Sequence, residues 1–257
     1  MSTKFHDRKE AGLLLAERLK AYYSNNSNSN SNSNSNSNSN SNNSNSNSNN
    51  KNIFGSEAKK ESSFFLVMAI PRGGVILGDI IASELNIEMD IIICKKIGAQ
   101  NNPELAIGAV MADGSYIINE EIVNRINTSP EYISKQIEIQ KKEIERRLIE
   151  FRGNKEYDTN KLKDKVIILV DDGIATGATM LAAVKWLKEN HYCKRLIVAV
   201  PVAPLESSIL EKLNQIADKV IVIFTPYDFA AVGQFYEHFD QVSDKEVKEI
   251  MNKYGFN

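Results

Sequence analysis

Residues 166–180 read Val-Ile-Ile-Leu-Val-Asp-Asp-Gly-Ile-Ala-Thr-Gly-Ala-Thr-Met, and they constrain this chain's fold more than any other stretch. An apolar, mostly β-branched run ends in two carboxylates, Asp171 and Asp172, and then in a turn of small residues. The segment that follows, from Leu181 to Lys188, has helical periodicity. That order predicts a buried strand that delivers two anions to the start of a helix. Small side chains leave the backbone N–H groups of the turn open, and the helix dipole adds to them, so the turn is an anion cradle suited to phosphate. Thr176 and Thr179 add hydroxyl donors. Carboxylates repel phosphate, so their place beside the cradle makes chemical sense if the ligand also brings hydroxyls or a metal ion. A phosphorylated sugar meets both demands. The plainer alternative is a strand–turn–helix with a threonine N-cap, and the full string in its required context outweighs it.

Rival phosphate motifs are missing from the sequence. There is no G-x-x-x-x-G-K-[ST] string, and no two glycines are separated by a single residue, so a dinucleotide-binding G-x-G turn is not assembled.

Strand-like and helix-like segments alternate from Phe64 onward, the pattern of a parallel sheet covered by helices. Strands are expected at 64–70, 89–94, 166–170, 196–201 and 219–224, and helices at 75–85, 176–190 and 206–215. Between them, 106–112 and 115–119 read as a hairpin around Asp113-Gly114, and 130–151 as a long charged helix. The expected fold is α/β: a doubly wound, mostly parallel sheet with a small α+β insertion over 95–160. In helix 130–151, Ile133, Ile137, Ile144, Leu148 and Phe151 form one stripe. The stripe packs on the body by default, with a homodimer contact as the alternative. An amphipathic helix is expected within residues 1–23, with Leu13, Leu14, Leu15 and Leu19 able to face the core. Residues 24–50 are almost pure Asn and Ser and offer no apolar surface to offset the entropy of ordering, so 24–60 is expected to be a disordered insertion. The main domain would then span 61–257, with a C-terminal hood over 225–257.

Two further segments carry chemistry. Pro71-Arg72-Gly73-Gly74 follows the first strand and places glycines and a cation at a strand's carboxyl end, where ligands bind in open α/β sheets. Glycine permits close backbone approach, and arginine grips phosphate with two parallel hydrogen bonds. Lys95 to Glu104, Lys-Lys-Ile-Gly-Ala-Gln-Asn-Asn-Pro-Glu, reads as a mobile cationic loop after the second strand.

Taken together, the F-x-D-R-x-x-A-G string at Phe5–Gly12, the Pro-Arg-Gly-Gly turn, the Lys-Lys-Ile-Gly-Ala segment, residues 170–179 and the aromatic tail resemble the type I phosphoribosyltransferases, in an uncharacterised branch. The resemblance implies transfer of ribose 5-phosphate from phosphoribosyl pyrophosphate to a nitrogenous acceptor, with Mg²⁺ as cofactor. It implies that Ala175, Thr176, Gly177, Ala178 and Thr179 wrap the 5′-phosphate, and that Asp171 and Asp172 hold the ribose hydroxyls, directly or around substrate-bound Mg²⁺. Arg72, Gly73, Gly74, Lys95 and Lys96 would hold the pyrophosphate. Tyr227 or Phe229 would stack on the acceptor base. Asp171, Asp172, Arg72, Lys96 and Glu104 are the catalytic candidates, Glu104 as a general base. The chain departs from the 6-oxopurine enzymes at Ala175, where they place an Asp, which argues against hypoxanthine or guanine as acceptor.

The other function classes find little support. The formal net charge of −2 supplies no general attraction for nucleic acid or acidic lipid. No apolar run approaches the ~18 residues of a membrane span, and the charged N-terminus has no apolar leader, so a cytoplasmic protein is expected. Cys94 and Cys193 show neither disulfide nor zinc spacing. His6, His191 and His238 lie outside the motifs, which weakens a hydrolase reading. The expected partners are small molecules, phosphoribosyl pyrophosphate and a base, with no nucleic acid and no membrane. A non-catalytic protein that binds the same donor, or a nucleotide, to regulate a partner is the alternative.

Overall fold

Strand β6 (Val166–Val170) sits in the middle of a five-stranded sheet, and its neighbours explain why its sequence is continuously apolar. The sheet runs β2 (Glu88–Ile91), β1 (Phe65–Ala69), β6, β7 (Arg195–Val202), β8 (Lys219–Phe224), with every pair parallel. Both of its faces are covered, so each strand buries alternate residues on opposite sides. Val67, Ile168, Val170 and Ile197 face one core with α1 (Arg8–Ser29) and α2 (Gly73–Leu85). Leu66, Ile167, Leu169 and Val198 face the other, with α6 (Ala178–Glu189) and α7 (Ser208–Ile216). The α/β, doubly wound reading is correct.

The computed structural model describes residues 4–29, 62–190, 192–205 and 208–256. The Asn/Ser insertion expected over 24–60 lies, from residue 30 on, outside the described residues. Helix α1 continues to Ser29, past the expected boundary at Tyr23. Its buried stripe is Ala11, Leu15, Ala16, Leu19 and Tyr23, whereas Leu13 and Leu14 are exposed, contrary to expectation. A run of consecutive leucines cannot share one face at 3.6 residues per turn. No helix among the described residues is long and apolar enough to cross a membrane.

A second, antiparallel sheet is built from β3 (Cys94–Ala99), β4 (Asn102–Met111) and β5 (Tyr116–Ile118). It is followed by α3 (Glu120–Arg125), α4 (Pro130–Arg152) and the short α5 (Thr159–Leu162). Two sequence expectations are corrected here. The expected strand 89–94 leaves the parallel sheet after Ile91, and Cys94 opens β3 instead. The expected loop from Lys95 to Glu104 is a β-hairpin with Gln100-Asn101 at its turn and an irregular register around Gly98. Lysines and glycine mask the strand because its stability comes from pairing with β4, a contact that local propensity does not reveal. Helix α4 buries Ile144, Leu148 and Phe151 within the chain. The C-terminal α8 (Asp244–Lys253) starts in a capping box made by Ser243 and Glu246 and packs against α2 and α4.

Candidate functional site

The connections from β1 and β6 leave the sheet in opposite directions, which opens a crevice between adjacent strands at their carboxyl ends. The segments 70–74 and 171–179 occupy that crevice. Asp171 follows the last residue of β6, and its Oδ1 accepts the Asp172 N–H at 2.8 Å. The Asp172 Oδ2 accepts Arg8 Nε at 2.9 Å, and the Asp172 carbonyl accepts the Tyr236 hydroxyl at 2.7 Å. Burial, and then the Asp172 charge, push the Asp171 carboxyl well above the usual carboxylate range. Burial also raises Asp172, against which the Arg8 guanidinium works. Two mutually repelling carboxylates in a shielded site are a costly arrangement of the kind that functional sites retain.

The Pro-Arg-Gly-Gly turn lies directly against this pair. A Cβ on Gly74 would come within 2.8 Å of the Val170 carbonyl and 3.2 Å of Asp171 Oδ1, so only glycine allows the approach. The Pro71–Arg72 peptide bond is cis. Arg72 Nη1 reaches Asp244 Oδ1 at the start of α8, at 3.3 Å. Lys95 is half-buried among cations: burial, then Arg147, hold its ammonium below the usual lysine range, with Arg146 and Arg72 adding to the effect and Glu143 opposing it. These cations are each balanced in part by a carboxylate, Arg72 by Asp244 and Lys95 and Arg147 by Glu143.

The lysine pair is divided between the two faces of β3, as strand periodicity requires. Lys95 turns to α4, where Glu143 Oε1 lies 4.0 Å away. Lys96 pairs at 3.0 Å with Glu104, whose side chain is 90% exposed. The hairpin therefore carries Lys96 and Glu104 together, bonded to each other and not to the acid pair.

Residues 175–179 form the turn into α6. Gly177 caps the helix with φ 71°, and a Cβ there would lie 2.1 Å from Ile209 Cγ1. The helix consequently begins at Ala178, two residues later than expected. Ala175 and Thr176 are exposed at the mouth of the turn, and the Thr179 carbonyl accepts from Cys94 Sγ at 3.3 Å. On the C-terminal side, Tyr227 is 82% exposed, whereas Phe229 packs its ring against Phe235 with centroids 5.1 Å apart.

Sequence reasoning assigned no role to Arg8 or Tyr236, although Arg8 lies inside the quoted F-x-D-R string. The Arg8 guanidinium stacks 3.9 Å over the Phe239 ring while it holds Asp172. An arginine next to an N-terminal helix start carries no local signal that it will meet residue 172.

Among the described residues no three His, Cys, Asp or Glu side chains form a metal-binding group. The two carboxylates supply hard oxygen donors, which fit a Mg²⁺ whose remaining ligands are substrate oxygens and water. A cavity of about 890 Å³ lies elsewhere, at the amino ends of the strands near Leu66, Glu88 and Asp90. Two of its cations are already matched, Arg152 with Asp90 and Lys165 with Glu88, and none of the sequence-predicted site residues lines it.

Comparison with known proteins bears on the family and the fold. The family model described as phosphoribosyl transferase domain matches residues 28–229. Two proteins of Mycobacterium tuberculosis, from strains CDC 1551 / Oshkosh and ATCC 25618 / H37Rv, are each 34% identical over 188 residues, and their names assign them provisionally as phosphoribosyl transferases. The match covers 73% of this chain and 41% of theirs. The crystal structure of TT1426 from Thermus thermophilus superimposes with a TM-score of 0.65 at 30% identity, covering 98% of this chain and 99% of that one.

Proposed function

This chain belongs to the phosphoribosyl transferase domain family, and on that premise we propose that it transfers ribose 5-phosphate from phosphoribosyl pyrophosphate to a nitrogenous acceptor, a nucleobase. The observation that carries the reading is the acid pair Asp171–Asp172 pressed against Gly73 and Gly74 at the crevice between β1 and β6. In this reading, carboxylates for the ribose hydroxyls, a turn for the phosphate and the cations Arg72 and Lys95 serve one ligand.

In this reading the 5′-phosphate sits on the N–H groups and hydroxyls of 175–179, at the positive end of α6. Asp171 and Asp172 accept the ribose hydroxyls and fix the anomeric carbon in line. Arg72 and Lys95 receive the charge that grows on pyrophosphate as its bond to the anomeric carbon breaks, and a bond from the acceptor nitrogen forms in its place. The β3–β4 hairpin folds toward the pair, bringing Lys96 to the pyrophosphate and Glu104 to the proton on the acceptor nitrogen. Asp171 and Asp172 would hold a bound Mg²⁺ through the substrate, and the ion would supply further neutralisation of the substrate's charge.

The chain spans 41% of the length of the curated relatives, so their further segments have no counterpart in this reading. The test is isotope-labelled donor with a panel of bases and detection of labelled nucleotide and pyrophosphate. Adenine is the first acceptor to try, because Ala175 stands where 6-oxopurine enzymes carry Asp. Donor that never binds, or that is consumed equally without any acceptor, would sink the transferase reading. The regulatory alternative draws on Phe229, whose ring is committed to Phe235 and leaves Tyr227 as the exposed one of the two acceptor candidates. Tight donor binding with no pyrophosphate release under any acceptor would favour it.

A further inference from the structure

Segments 5–8 and 235–240 form a strap beside the acid pair. Phe5 N–H donates to the Phe235 carbonyl and Glu237 N–H to the Phe5 carbonyl, both at 2.8 Å, and His238 N–H donates to the His6 carbonyl at 2.9 Å. Two side chains of this strap converge on one residue. Arg8 takes the carboxylate of Asp172 and Tyr236 takes its carbonyl.

Arg8 is unusually constrained for an arginine. Its Nε meets Asp172 Oδ2 at 2.9 Å, its Nη1 donates to the Asp240 carbonyl at 2.7 Å, and its plane lies on the Phe239 ring. Only 12% of its side chain is exposed. Arginine loses much rotamer freedom when it is held this way, and a carbonyl and a ring would satisfy a merely structural arginine. The third bond, to a carboxylate on the far side of the sequence, is the one that fixes the orientation of Asp172.

We propose that Arg8 is a positioning residue for the ribose, holding one oxygen of Asp172 so that the carboxylate keeps one orientation toward the ribose hydroxyls. This role rests on the reading of the acid pair given above. It also makes the N-terminal segment part of the site, whereas the matched family model begins only at residue 28. Arg8 acts through Asp172 and touches no reacting atom.

Calorimetry with the full chain and Mg²⁺ tests it, using phosphoribosyl pyrophosphate, ribose 5-phosphate and inorganic pyrophosphate as three probes. Arg8→Gln is expected to weaken the two ribose ligands by roughly 10–100-fold, the value of a charge-assisted hydrogen bond, and to leave pyrophosphate nearly unchanged. Arg8→Lys should recover part of the loss, and in an Asp172→Asn background Arg8→Gln should add little. A loss shared equally by pyrophosphate overturns the role, because a collapsed strap would weaken every ligand. Ribose-ligand affinity that is unchanged or tighter in Arg8→Gln overturns it as well. If the wild-type protein binds none of the three, the reading of the site fails first, and the role fails with it.

Discussion

Gly73 and Asp172 are in such close contact that a Cβ on Gly73 would lie 1.8 Å from Asp172 Oδ2. The same Cβ would come within 3.0 Å of Arg8 Nε. The turn after β1, the acid pair after β6 and the N-terminal strap thus meet at one point, although 164 positions separate Arg8 from Asp172 in sequence.

Gly73→Ala is therefore expected to push Asp172 off Arg8. Overpacking of this kind costs about 1–3 kcal/mol, and the displaced carboxylate should weaken ribose-ligand binding as well. Thermal melts and ribose 5-phosphate titration check both effects. A fully stable Gly73→Ala protein with wild-type affinity would mean that the turn and the pair are farther apart in solution.

Asp171→Asn should stabilise the protein while abolishing turnover. Burial and the neighbouring charge raise Asp171 above its ordinary value of 3.8, so the folded state holds the proton more tightly than the unfolded chain does. That contribution is complete below the ordinary value and is lost as pH rises toward and through the raised one, leaving the buried carboxyl as a net cost at neutral pH, where the unfolded chain carries it ionised. Asparagine keeps an oxygen for the Asp172 N–H and removes the charge. A neutral-pH gain of about 1 kcal/mol, or ~2–4 °C in Tm, is expected, shrinking in mild acid. A lower Tm at neutral pH would contradict this account.

Glu143 provides the opposite pH dependence. Its hydrogen bonds to Arg146, and then to Arg147, pull its carboxyl from 4.5 down to about 2. Stability from this cluster is present above the ordinary value and is lost as pH falls through the lowered one. Urea unfolding of Glu143→Gln should show a shallower acid loss across that window than wild type. Identical acid limbs would rule out a contribution from the cluster.

Asp90 and Arg152 form a bidentate pair at 2.7 and 2.8 Å, with both residues buried. Arg152→Ala strands a buried carboxylate, and its cost is expected at about 3–5 kcal/mol. Adding Asp90→Asn removes the stranded charge and should restore part of the stability, which denaturant titration of single and double variants would show. If the double variant is no more stable than Arg152→Ala, the stranded charge is not the source of the loss.

Much of the architecture could be read locally. The β6 string and the alternation after Phe64 carry their own periodicities, so strands 166–170 and 219–224 coincide with β6 and β8. The hairpin around Asp113-Gly114 was legible from turn chemistry. The hairpin at Lys95 to Glu104 was not, because two lysines, a glycine and an Asn-Pro step look like a loop until β4 supplies the other half of the ladder. Leu13 and Leu14 misled for the related reason that hydrophobicity does not say which side of a helix a neighbour will cover.

What residues 166–180 determined unaided was a strand, an acid pair and a turn of small residues into a helix, since strand propensity, charge spacing and helix-start chemistry are properties of adjacent residues. Which groups complete the site was decided by the tertiary structure. Glycines after β1 reach the acid pair because parallel strands β1 and β6 are neighbours, Lys95 and Lys96 separate because a strand alternates its faces, and Arg8 meets Asp172 because the segment at Phe5 pairs with the segment at Tyr236. Contacts between residues far apart in sequence depend on topology, and no local pattern encodes them.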